Sequence, residues 1–163
     1  MSVVRNILSS WRRPRAVVRQ LLAIGKREDR ALAYVMGACI IIFVSQWPGL
    51  AREAHLTGQD VQQLISYSLL GWVFVWPLLF YGIGAISHLI AKVIGGKGSF
   101  YGARVALFWA LLASTPAALL YGLLNGFVGQ DTGTQLVGAV WLVGFGFIWL
   151  SGLREAESGE HDV

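Results

Sequence analysis

Charge is what this sequence has little of. Only 13% of its 163 residues are Asp, Glu, Lys or Arg, about half the ~25% usual in a soluble domain. With 55% hydrophobic residues and a mean hydropathy of +0.58, that shortage excludes a disordered chain and argues against a water-soluble globule. One cysteine, Cys39, excludes an internal disulfide and a cysteine metal cluster. Four long segments contain no Asp, Glu or Lys: Ala31–Pro48, Leu64–Ala91, Ala103–Leu124 and Gln135–Leu153. Arg104, at the rim of the third, is their one charged residue.

Each segment meets the ~17–25 residues that a hydrocarbon core of about 30 Å requires of a helix. The expectation is therefore an all-α, polytopic transmembrane helical bundle of four spans within residues 31–153. A basic segment, 1–30, precedes it and a polar tail, 154–163, follows. The second segment has 28 residues, about 42 Å as one helix at 1.5 Å per residue, too short for two spans. Pro77 near its middle removes a backbone donor and predicts a kink.

Loop charge sets the orientation. Twelve of the 13 Lys and Arg residues fall in the 1–30 segment, the loop around Lys92, Lys97 and Arg104, or the tail with Arg154; Arg52 alone lies on the other side. By the positive-inside rule both termini face the cytoplasm, as in a multi-pass protein of the bacterial inner membrane. An even number of spans agrees.

The basic segment is amphipathic. Val4, Ile7, Leu8 and Trp11 recur at helical spacing, and Pro14 suits the first turn of a second helix carrying Val17, Val18, Leu21 and Leu22. The pattern predicts an N-terminal amphipathic interfacial helix, or two, with Trp11 at headgroup depth. Arg12, Arg13, Arg15 and Arg19 face anionic lipid, each contributing about 1 kcal/mol. Membrane lipids are the expected partners, with other membrane proteins or a second copy of the chain; nucleic acid is not.

The polar residues inside the spans are few. Gly95-Gly96-Lys97-Gly98-Ser99 fails the phosphate-loop pattern, which needs Gly-Lys-Ser/Thr between a strand and a helix. It reads as a tight turn with Ser99 capping the next helix. His88 is the one histidine within a span; its place near Lys92 favours an interfacial, hydrogen-bonding role over proton chemistry. Ser114 and Thr115 precede Pro116, where hydroxyls satisfy the carbonyl that proline leaves free. Gly122 and Gly126 form a small-xxx-small pair, and Gly82 lies among small residues of the second span, both patterns of close helix packing.

Several of these features carry a resemblance. The basic turn Gly95–Ser99 followed by Phe100-Tyr101, the Ser114-Thr115-Pro116 step, Trp11-Arg12-Arg13-Pro14 and the ending Ser151-Gly152-Leu153-Arg154-Glu155-Ala156 resemble the bacterial branch of the Yip family of membrane domains, named for eukaryotic Ypt/Rab-interacting proteins. The compact size is similar to the short alphaproteobacterial versions. The resemblance covers most of residues 11–156 and implies a helical membrane domain without catalytic residues. Family members usually have five spans against four here, and the eukaryotic Asp-Leu-Tyr-Gly-Pro signature is absent.

The chain thus reads as a non-enzymatic module for protein interaction or bilayer organisation, with no cofactor, metal or catalytic residue expected. A small oligomeric transporter or channel is the alternative, weakened by the absence of an intramembrane carboxylate. An enzyme lacks a nucleophile, base and orienting group in reach of one another.

Overall fold

Apolar sequence shielded from water must satisfy its own backbone, which favours helix. The computed structural model describes residues 3–158 and contains no strand among them. The helices are α1 (Val3–Ser10), α2 (Pro14–Leu22), α3 (Glu28–Thr57), α4 (Val61–Leu70), α5 (Trp76–Val93), α6 (Phe100–Ala113), α7 (Thr115–Phe127) and α8 (Thr132–Ala156). A π-helical turn, Gly71–Val75, joins α4 to α5. Three runs are long and apolar enough to cross a bilayer: α3, the run Val61–Val93, and α8. The third apolar segment is the pair α6–α7, bent by 44° at Ser114.

The segment expected to end at Pro48 does not end there. α3 carries Pro48 inside it and continues to Thr57, where Gly58 at φ 68° closes the helix in the left-handed conformation that glycine adopts freely. The apolar stretch stops near Pro48 because the following turns hold Arg52, Glu53 and His55; composition reports where the apolar surroundings end, not where the helix does. At Pro77 the run stays helical. The wider π turn immediately before it accommodates the missing donor and the bulk of the ring.

At the centre stands α6, in which every residue except Phe100 and Arg104 is buried. It packs against α3, α5 and α8, and at its flank against α1 and α2. Trp109 meets the edge of Tyr34 at 5.2 Å between centroids, and Phe108 meets Tyr81 at 4.9 Å. Ser99 caps α6 as expected, accepting from the Gly102 N–H.

The ends of the α6–α7 pair lie at opposite ends of α3. At the Phe100 end, Arg104 reaches Glu28 at 2.6 Å and the Tyr101 hydroxyl lies 3.3 Å from the Arg27 carbonyl. At the Phe127 end, Arg52 lies 3.4 Å from the carbonyls of Gly126 and Phe127. α7 packs on α3 with Gly122 directly over the Ser45 carbonyl and Gly126 over Pro48, so closely that a Cβ at either glycine would overlap its neighbour. Gly82 plays no such part. A Cβ there meets nothing within 4 Å, whereas two residues on, Gly84 admits Arg104.

Candidate functional site

The break at Ser114 removes regular partners from the last carbonyls of α6. Pro116 has no N–H, and the Ala117 N–H turns to the Ser114 carbonyl. Three side chains fill the gap. The Ser114 hydroxyl donates to the Leu111 carbonyl at 2.9 Å, and the Thr115 hydroxyl to the Leu112 carbonyl at 2.8 Å. The Trp11 indole N–H, from the far N-terminal segment, donates to the Ala113 carbonyl at 3.0 Å. Trp141 in turn donates to the Ser114 oxygen at 3.2 Å. Ser114 and Thr115 therefore stitch a bent helix rather than opening into a polar pocket.

Trp11, expected at headgroup depth, turns its indole N–H into the protein, and its ring edge lies over Gly144 of α8. Trp11→Phe keeps the ring and leaves the Ala113 carbonyl without this donor. The expected loss is about 1–2 kcal/mol of stability, read as a lowered unfolding midpoint in detergent.

The two helices expected in the basic segment divide their surfaces. α2 buries Val17, Val18 and Leu21, with Val18 against Gly152 of α8. α1 anchors through Ser10, which accepts from the Trp109 indole at 2.8 Å. It leaves Val3, Val4 and Leu8 exposed. Protein thus covers the apolar face of α2, whereas α1 packs on the core through Ile7 and Ser10 and leaves the rest of its apolar face open.

A groove of about 520 Å³ lies between α2 and α8. Arg12, Arg13, Arg15 and Arg19 line it from the N-terminal segment, and Phe147, Ser151 and Arg154 line it from α8. Beneath it sits Glu155, 3% exposed, accepting from Arg19 at 2.6 Å and lying 3.5 Å from Arg15. Arg12, Arg13 and Arg154 have no carboxylate partner among the described residues.

A second carboxylate, Glu157, closes the same end of the bundle. Its Oε1 lies 2.7 Å from His88 Nδ1, with both side chains buried. Its Oε2 accepts from the Gly98 N–H at 3.1 Å, and its main-chain carbonyl accepts from the Lys97 N–H at 2.9 Å. Gly98 presses so closely on Ala156 and Glu157 that a side chain there would overlap their backbone. His88 is thus a hydrogen-bonding residue whose partner sequence reasoning missed. The sequence places Glu155 and Glu157 in a polar tail, because their partners lie 136 and 69 residues away along the chain.

Among the described residues no three His, Cys, Asp or Glu side chains gather as a metal site. Pro116 lies at the bend between α6 and α7, Pro77 follows the π turn within a continuous helical run, and Gly122 and Gly126 seat α7 on α3. Comparison with protein-family models, curated proteins and solved structures finds no match for this chain.

Proposed function

We propose that this chain is a non-enzymatic, four-span module of the bacterial inner membrane, related to the Yip family, that binds other membrane proteins or organises the bilayer. The observation that carries this reading is how the polar groups are used. His88 is spent on Glu157, Ser114 and Thr115 on their own helix, and Glu155 on Arg15 and Arg19. Reaction or coupled transport needs polar groups held ready for a substrate.

Four spans rather than three follow from treating α6–α7 as a broken span. The pair reaches from the Glu28 end of α3 to the Arg52 end, which favours a crossing over a re-entrant return. The charge bias then puts both termini on the cytoplasmic side, with α1 and α2 at that interface. The family link rests on the sequence resemblance alone.

Capture of tagged protein from native membranes in mild detergent, read by mass spectrometry, tests the role. A stoichiometric membrane-protein partner, or self-association with lipid, is the expected result. Substrate or ion flux in proteoliposomes above that of empty vesicles overturns it. Topology is read by introducing Gln130→Cys in a Cys39→Ala background and labelling intact spheroplasts with a membrane-impermeant maleimide. Labelling before lysis is expected. Labelling only after lysis makes α6–α7 re-entrant and the span count three.

A further inference from the structure

The geometry points to a binding site for one anionic glycerophospholipid in the groove between α2 and α8, the arginines holding its phosphate and α8 carrying an acyl chain. This deepens the proposed membrane module and rests on that reading for its setting. Five guanidiniums, from Arg12, Arg13, Arg15, Arg19 and Arg154, surround the groove. One described carboxylate, Glu155, lies beneath them and is turned toward Arg15 and Arg19. Arg12, Arg13 and Arg154, with no carboxylate partner among the described residues, give the groove its positive charge. It also offers forked N–H donors suited to phosphate oxygens, and Ser151 adds a hydroxyl.

Charge alone would fit any phosphate, soluble or lipid. The apolar surface leading out of the groove selects the lipid. Phe147 lines the groove and is 53% exposed; Val143, one turn deeper on the same face of α8, is 72% exposed. Steps of four residues from Ser151 to Phe147 to Val143 keep them in one stripe. The stripe runs about 12 Å at 1.5 Å per residue, reaching from the groove toward the middle of a core about 30 Å thick. Basic pockets beside transmembrane helices at the cytoplasmic side are suited to anionic headgroups. Here the charged head site and the apolar track are continuous on one helix.

The test uses the full-length protein in mild detergent. Dioleoyl phosphatidylglycerol, dioleoyl phosphatidylcholine or water-soluble glycerol 3-phosphate is added, and binding is read by native mass spectrometry and by the unfolding midpoint. Phosphatidylglycerol is expected to bind and raise the midpoint, with little response to the other two. At about fivefold per guanidinium near an anionic lipid, the triple variant Arg12→Gln, Arg13→Gln, Arg154→Gln should weaken binding on the order of a hundredfold. These three are chosen because their removal leaves Glu155 its partners. Lys92→Gln, an exposed charge elsewhere, should leave binding unchanged.

Equal binding of phosphatidylcholine and phosphatidylglycerol, or unaltered phosphatidylglycerol binding by the triple variant, overturns the site. Binding of glycerol 3-phosphate as tight as that of the lipid overturns the acyl-chain part and identifies a soluble-anion site. These outcomes are separate from the test of the module itself: loss of the lipid preference leaves partner capture standing, and measured flux leaves the lipid titration standing.

Discussion

Replacing His88 by leucine should lower stability by about 3–5 kcal/mol, because it leaves the buried Glu157 carboxylate without its side-chain partner. The Gly98 N–H still reaches Oε2, but one donor at 3.1 Å does not replace two. Glu157→Leu alone should cost less, since it strands an imidazole rather than a carboxylate. The decisive measurement is the cycle. The double variant His88→Leu, Glu157→Leu should be more stable than His88→Leu alone, recovering at least half its loss, since an apolar pair can occupy the same volume. Losses that simply add would show that the two side chains are neighbours without being partners.

The second large effect concerns glycines. Gly122→Ala and Gly126→Ala should each destabilise by about 1–3 kcal/mol. The new methyl meets the Ser45 backbone in one case and Pro48 in the other, so α7 must lift from α3. Gly82→Ala should have the opposite sign, gaining up to about 1 kcal/mol from helix propensity, because nothing lies within 4 Å of its added carbon. Unfolding of the three variants in the same detergent separates them. Equal small losses at all three positions would mean that the α3–α7 contact is looser than described.

That contrast also shows what was legible in the sequence. Gly122 and Gly126 are four apart, and the spacing alone puts both on one helix face. Gly82 stood among other small residues, with nothing local to say which of them meets a neighbour; Gly84 does. The apolar segments located the long helices well. Their ends were missed where polar turns extend a helix past its apolar stretch, as at Arg52 and Glu53 in α3. The Ser114-Thr115-Pro116 step announced its bend, because both hydroxyls and the proline act within one turn. Trp11 did not announce its place. Helical spacing says that Val17, Val18 and Leu21 share a buried face, and it is silent on whether protein or lipid covers them. The carboxylate contacts were the least legible part. Glu155 meets Arg19 across 136 residues and His88 meets Glu157 across 69, so no local pattern reports them.

The enclosure of α6 has a consequence for how the protein is made. The surfaces that cover this helix come from both directions along the chain: α1 and α2 are synthesised long before it, and α8 after it. When α6 first leaves the ribosome, the helix against which Val18 and Trp11 pack does not yet exist. α1 finds its partners on α6, in Trp109 and the Ala113 carbonyl, but α2 waits through the synthesis of more than a hundred residues for the helix that covers most of it. Its docking is completed when α8 arrives and Glu155 meets Arg15 and Arg19. A ribosome stalled before residue 150 should leave α2 open to protease, and one released after Glu157 should leave it protected.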